Sequence, residues 1–340
     1  VGDREEIHER GTSASGEYGG GCAHSWRLAR YSFQCPQSPD RVKPETRIAV
    51  TIAMEELKFV RNSVAARLAA GRADSIGIVV SGFDHSYSSE VITSAQEIAL
   101  REGLHMVITC SNHDKSLQDK HLRYFHGAGV GAVILVPMPH SDESIKKAIA
   151  RDTRLVLIDY DGVALGCPSV RIDNLETGRL ASRHLLSAGK KRLHFVGPDG
   201  VRAVVEDRYT GAVEAARPIS VMRSDVHGLS RQAAAAHAKD IARLAQMGQV
   251  DGVIAATDVI GAEMLLAFLE AGLRVPTDIS VIGCDHNAFA ANGRIPLSTV
   301  DLLSQRVGET AMELALAEID HRRLSQKNIV LTPKVIVRGT

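Results

Sequence analysis

Residues 38–72 read SPDRVKPETRIAVTIAMEELKFVRNSVAARLAAGR. Pro44 and Glu45 open a helical pattern, since proline is tolerated in a first turn and an acid there suits the helix N-terminus. Apolar residues follow at Ile48, Ile52, Leu57 and Phe59, close to helical spacing, with Met54 offset. Asn62 and Ser63 can cap a second, short helix over 64–70, which Gly71 ends. That helix is Ala-rich and basic, with Arg61, Arg67 and Arg72 around one prominent apolar residue, Leu68. So short a helix is marginal in water alone and would be better ordered against something anionic. A long α/β pattern begins directly after it, at Asp74.

These residues resemble the lac-repressor (LacI/GalR) family of bacterial transcription regulators. In that family V-x-P-x-T-R begins the third helix of a helix-turn-helix headpiece, E-E-L-x-[FY]-x-x-N ends it, and A-x-x-L-x-x-G-[RK] is the hinge helix. Residues 42–47, 55–62 and 65–72 supply the three in order. The resemblance implies DNA contact through Asn62, Ser63, Arg67, Leu68 and Arg72. Leu68 would be an apolar wedge in a minor-groove step and the arginines would meet phosphates. A plain amphipathic helix and linker is the bland alternative, with Leu68 packed on the core.

Residues 1–37 are different. They are rich in Gly and Ser, hold the only Trp, Trp26, and show no sustained period, so at face value they are disordered. The family has the first two headpiece helices here. Reading residues 17–37 one nucleotide later, with permitted codon choices, gives S-M-E-E-V-A-R-T-A-G-V-S-H-G-T-V-S-N-V-L-N. That string resembles those two helices and runs straight into Ser38. The expectation is a compensated pair of single-nucleotide shifts in the gene or its sequencing, with a genuine alternative N-terminus as the other reading.

Composition sets the outer bounds. A chain of 340 residues with 44% hydrophobic content suggests two or three units with substantial cores. Aromatics make up only 4%, so aliphatic packing must dominate. Lys+Arg and Asp+Glu both count 40, so a nucleic-acid surface would have to be local, and 41–72 supply one. Cys22, Cys35, Cys110, Cys167 and Cys284 show no CxxC spacing, which favours free thiols in a reducing compartment. The 14 histidines show no HxxxH or HExxH spacing, and no Ser/His/Asp context or Walker A loop stands out. No metal, cofactor or catalysis is expected. No apolar run is long enough to span a membrane and no secretory pattern is seen, so a cytoplasmic location is expected.

From Ser75 onward, short β-type runs alternate with amphipathic stretches, the pattern of parallel α/β sheets. Strands are expected over 75–80, 105–109, 132–136, 155–158, 193–196, 252–255 and 279–282, with a second series starting near 170–173. Helices are expected over 87–102, 117–125, 144–150, 178–187, 209–216, 232–246 and 261–271. Two such series imply two doubly wound lobes, with small ligands bound beyond the carboxyl ends of strands.

The family resemblance continues through this region. Val170 to Asn174 with Gly178 match V-x-x-D-N-x-x-G, although Arg179 stands where a small residue is usual. Phe195 to Pro198 with Arg208 and Gly211 match G-P…R-x-x-G. Residues 251–258 match D-A-[IV]-x-x-x-N-D with Thr257 for the amide, and 271–285 match A-G-x-x-V-P-x-D-[IV]-S-V-x-G-[FY]-D. The closing residues 333–340 match P-x-L-[IV]-x-R-x-[ST]. The resemblance covers roughly 38–340.

It implies a periplasmic-binding-protein-like effector domain over 73–340, with lobes of about 73–172 plus 302–328 and 173–301 plus 329–340. Residues 38–62 would be a headpiece remnant and 63–72 the hinge helix. Effector contacts fall on Phe83, Ser86, Tyr87, Asp159, Asp173, Arg208, Thr257, Asp258 and Asp285. Arg208 offers a planar fork to hydroxyls or a carboxylate, or alternatively pairs with Asp207 or Asp173. Asp258 and Asp285 follow strands, although Asp258 could equally cap a helix. Phe83 or Tyr87 could stack on a ring, or simply pack. The stretch 217–230 is shorter than usual, which puts the usual ligand wall there in doubt. The function implied is a homodimeric, DNA-binding transcription regulator, a repressor controlled by a small effector of the sugar or related metabolite class, with operator DNA as partner. This chain as written would bind operator weakly or not at all. A periplasmic-type sugar-binding protein without DNA binding is the alternative, and an enzyme on a doubly wound scaffold is a third reading.

Overall fold

The structure is a computed structural model that describes residues 43–56, 73–83, 86–198, 203–227 and 231–340. It forms two compact units, Val1–Arg72 and Ala73–Thr340. In the first, the described residues form helix α1, Pro44–Glu56, opened by proline as expected. Ile48 and Ile52, one turn apart, are 59% and 50% exposed. The frame-shifted headpiece, the hinge helix and the DNA contacts proposed at Asn62, Ser63, Arg67, Leu68 and Arg72 lie outside the described residues.

The second unit is built on two six-stranded sheets. The first sheet takes β1 (Ser75–Val80), β2 (His105–Cys110), β3 (Val133–Leu135), β4 (Leu155–Ile158) and β5 (Ser169–Ile172), and is completed by β11 (Asn328–Leu331). Its order is β11-β5-β4-β3-β1-β2, all parallel. The second sheet takes β6 (Leu193–Pro198), β7 (Val221–Val226), β8 (Gly252–Ala255), β9 (Ser280–Asp285), β10 (Ser298–Asp301) and β12 (Lys334–Ile336). Its order is β12-β10-β9-β8-β6-β7, with only β12 antiparallel. The central strands are apolar but for Ser75 at the start of β1 and are buried on both faces, as parallel sheets covered by helices require. The covering helices are α2 (Ser86–Arg101), α3 (Lys115–Ala128), α4 (Asp142–Ile149), α5 (Asn174–Ser187), α6 (Ala203–Ala216), α7 (Arg231–Gln246), α8 (Asp258–Glu270), the short α9 (Ala288–Ala291) and α10 (Ser304–Ile319).

Three crossings join the lobes, after β5, after β10 and between β11 and β12. Two expectations shift here. The strand near 170–173 lies in the first sheet, between β4 and β11, and does not start the second series. The last crossing falls later than residue 328, because Asn328–Leu331 pair with Ser169–Ile172 and keep β11 in the first lobe. Four strands were not foreseen, β7, β10, β11 and β12. β7, in the stretch 217–230, alternates poorly and carries Arg223 and Asp225 ahead of its buried last residue, Val226, as an edge strand can.

Candidate functional site: a cleft between two lobes

A cavity of about 320 Å³ opens at the carboxyl ends of both sheets. The first lobe lines it from β1, α2, the loops after β2 and β3, and the end of β4, through Tyr87, His113, Met138 and Asp159 among others. The second lobe lines it from the end of β6, from α6, and from the ends of β8 and β9, through Pro198, Arg208, Thr257 and Asp285 among others. A crevice at strand carboxyl ends is where ligands bind in doubly wound sheets.

Arg208 is placed by two glycines. Gly178 on α5 and Gly211 on α6 face each other's helices. A Cβ on Gly178 would run into the Arg208 carbonyl, and one on Gly211 into the Leu175 carbonyl. The helices can therefore approach backbone to backbone, which presents Arg208 at the cleft and Asn174 beside it. Arg208 Nε donates to Asn174 Oδ1 at 2.9 Å, and Nη1 donates to the Ala256 carbonyl at 2.7 Å. Its hydrogen-bond partners are thus a neutral amide and a main-chain carbonyl, rather than Asp207 or Asp173. Arg179, at the unusual position after Gly178, turns outward and pairs with Glu214 at 2.8 Å.

Asp285 reaches the cavity from the end of β9. Behind it, Asp258 is fully buried. Asp258 Oδ1 accepts from the Thr299 hydroxyl at 2.6 Å and Oδ2 from the Asn287 amide at 2.9 Å. Asp285 Oδ2 accepts only longer bonds, from Asp258 N–H at 3.4 Å and Asn287 Nδ2 at 3.3 Å. Burial first, and then the neighbouring Asp258 charge, push the Asp285 carboxyl well above the usual carboxylate range.

On the opposite side Asp159 is also raised by burial, a shift opposed by a hydrogen bond from Tyr87 and the Arg208 charge. Tyr87 is raised well above its ordinary value by burial and then by Asp159. Asp159 Oδ1 is buried without a hydrogen-bond partner among the described residues. A carboxyl oxygen left so in a cavity wall suits a ligand hydroxyl or amine. His113, His140, Asp159 and Asp285 all line the cavity with left-handed backbone, at φ of 59°, 57°, 53° and 129°. Conformations uncommon for non-glycine residues gather at ligand sites, where the surroundings hold them.

Of the effector contacts read from sequence, Tyr87, Asp159, Arg208, Thr257 and Asp285 line the cavity together. Four do not. Phe83 is 58% exposed and lies outside the lining. Asp173 caps α5, its Oδ1 accepting from Glu176 N–H at 2.9 Å. Asp258 stands behind the wall, held by Thr299 and Asn287, so it supports Asp285 and does not reach the cavity. The cap of α8 is Thr257, whose Oγ1 accepts from Ile260 N–H, and not Asp258. Ser86 starts α2 but does not line the cavity. Sequence reasoning missed His113, His140, Met138 and Tyr160. The signal available for them was position, since each stands within a few residues of the end of an expected strand.

Comparison with known proteins agrees with this architecture. Residues 182–340 match the periplasmic binding protein-like domain model. The class is therefore that of two-lobed, periplasmic-binding-protein-like α/β domains. The chain is 28% identical to the HTH-type transcriptional regulator CelR of Thermobifida fusca, over 88% of this chain and 90% of that protein. It is 25% identical to the HTH-type transcriptional repressor PurR of Mannheimia succiniciproducens, over 87% and 90%. A solved LacI-family regulator from Silicibacter pomeroyi shares the fold with a TM-score of 0.77, 23% identity, and coverage of 88% of this chain and 91% of that one. These relatives are HTH-type transcription regulators and the solved neighbour is a LacI-family regulator, the family that the sequence motifs of this chain resemble.

Proposed function

We propose that this protein is an effector-controlled transcription regulator, a repressor whose operator binding is set by a small hydroxylated ligand of the sugar class held between the two lobes. One observation carries the reading. Tyr87, Asp159, Arg208 and Asp285, contributed by both lobes, converge on one cavity with carboxyls poised for hydroxyls. A ligand that touches both lobes favours the closed arrangement by its differential affinity, and closure moves what the first lobe carries. Similarity supports the regulator and the ligand class, since relatives are named as HTH-type regulators. A CelR–cellobiose complex shares the fold at a TM-score of 0.68. The protein acts as a homodimer in the cytoplasm, without catalysis, and reads a two-fold symmetric operator.

The motifs of residues 42–72 favour this over a periplasmic-type sugar-binding protein. The exposed Ile48 and Ile52 on α1 fit a helix made to be covered by two others, which the shifted reading of residues 17–37 would provide. On this reading the polypeptide as written binds operator weakly, and the restored reading binds it tightly. A mobility-shift assay of the two versions on promoter fragments tests the proposal. Tight binding only by the restored chain, altered by a small ligand, is expected. Tight sequence-specific binding by the chain as written defeats the frame-shift reading, and no binding by either defeats the regulator.

A further inference from the structure

The cavity is not uniformly polar. The carboxyls of Asp159 and Asp285, the Arg208 guanidinium and the neutral Tyr87 hydroxyl gather in one knot, whose members act on one another electrostatically. Elsewhere in the lining, the loop after β3 forms a ledge, Pro137-Met138-Pro139, half-buried at its start and exposed at Pro139. Prolines have no N–H to give. The one amide between them, Met138 N–H, donates at 2.7 Å to Gln118 Oε1. Gln118 is itself fully buried, and its Nε2 donates to Ser141 Oγ at 3.0 Å. The ledge therefore has no backbone donor to offer a ligand and is pinned from below. Val204, at the start of α6, adds a further half-buried apolar side chain to the same cavity, and Pro198 has no N–H either. Tyr87 and Tyr160 are the only aromatic residues of the described lining, and both hydroxyls face carboxyls, Asp159 and Asp142.

A ligand made of hydroxyls alone would set part of its surface against the side chains of Pro137, Met138, Pro139 and Val204, which offer it no hydrogen bond, at a desolvation cost. We infer that the effector is amphiphilic, with a hydroxyl-bearing head seated in the Tyr87–Asp159–Arg208–Asp285 knot and an aryl or alkyl substituent lying on the Pro137–Met138–Pro139 ledge. This rests on the reading of the cavity as the effector site and narrows its ligand class to substituted glycosides or polyols. The ledge is pre-formed, so the apolar contact is gained without the cost of ordering a loop.

The experiment is isothermal titration calorimetry of the full chain with glucose, galactose, xylose and cellobiose, each beside its phenyl β-glycoside. For the head group that binds, the phenyl glycoside binds at least about tenfold tighter, the gain expected from burying a ring face. Met138→Asp lowers that ratio to about threefold or less, and Met138→Leu retains it. Met138→Gln serves in place of Met138→Asp if the latter fails to melt cooperatively. Equal affinity for a sugar and its phenyl glycoside, or a preference that survives in the polar variant, overturns the amphiphilic assignment and leaves the sugar reading standing. Binding by none of the eight compounds overturns both.

Discussion

On the second-lobe side of the cleft, each polar group that meets the cavity is tied from behind. Arg208 is held by Asn174 and the Ala256 carbonyl, and Asp285 is backed by Asp258, Asn287 and Thr299. On the first-lobe side, Asp159 leaves an oxygen without a partner, and the Pro137–Pro139 ledge offers no donor. The two sheets are alike in strand number and order, so the fold does not impose this difference. It lies in what each set of strand ends carries. The second lobe holds a preorganised polar platform, and orienting its groups costs little when ligand arrives. The first lobe keeps an unsatisfied carboxyl and an apolar shelf whose interactions become favourable only when something is bound. A device that closes on a ligand needs one lobe of each kind, because closure is driven by interactions absent from the open state.

The largest effect belongs to the second lobe's platform. Gly178→Val puts a branched side chain where even a Cβ meets the Arg208 carbonyl, and α5 and α6 must separate. A loss of about 3 kcal/mol or more in unfolding free energy is expected from urea denaturation. The same change at an exposed helix position would be neutral or stabilising by about a few tenths of a kcal/mol, since valine is the better helix former. A near-wild-type midpoint would show that the platform is not set by that helix contact.

Next comes Arg208→Met, which removes a buried cation together with its bonds to Asn174 and Ala256. Affinity for any ligand that binds the wild type is expected to fall about a hundredfold. Asp159→Asn should behave oppositely in the absence of ligand. The carboxyl is raised by burial, so its folded-state pKa lies above the unfolded value near about 4. Its contribution to stability is present below that value and is lost as pH rises through the raised folded pKa. The amide removes that cost, and thermal melting at neutral pH should move up by a few degrees while ligand affinity falls. A lower melting temperature for the variant would mean that Asp159 is already satisfied without ligand.

The smallest effect lies away from the cleft and checks that the pH response of the cleft is read correctly. His194, on β6, is buried, its Nε2 bonded to Ser224 Oγ of β7 at 2.8 Å, and Ser224 Oγ to His237 Nε2 of α7 at 2.6 Å. Burial, and then His237, lower its pKa to about 4. A depressed histidine is neutral in the fold but protonates near about 6.5 when unfolded. Stability is thus lost as pH falls between these two values. About 1–2 kcal/mol is expected after allowing for partial solvent access. His194→Gln should flatten that acid limb and leave the limb due to Asp159 unchanged.

The sequence is most legible where one physical requirement dominates. Apolar runs such as Leu155–Ile158 and Gly252–Ala255 fall on the strands read from them, because fully buried parallel strands admit little else. Tyr87, Asp159, Thr257 and Asp285 could be placed in the cleft because each stands at or just beyond a strand end or on a helix start, and Arg208, in the second turn of α6, by its R-x-x-G motif. Asp173 and Asp258 satisfied the same rule, yet face other partners. Which way a carboxylate points depends on whether an amide or hydroxyl from a distant element, here Asn287 and Thr299, arrives first. β7 and the pinned ledge escaped notice for a related reason. A polar edge strand has no alternation to detect, and the Gln118–Met138 bond joins residues 20 positions apart.

The most direct test of the account is a thermal-melting titration of the full chain with the sugars and phenyl glycosides, run side by side with Arg208→Met and Asp285→Asn. The account predicts that at least one compound raises the wild-type melting temperature in a saturable way, and that either substitution abolishes the shift. A saturable shift of equal size in both variants would place the ligand elsewhere and contradict the assignment of the cleft.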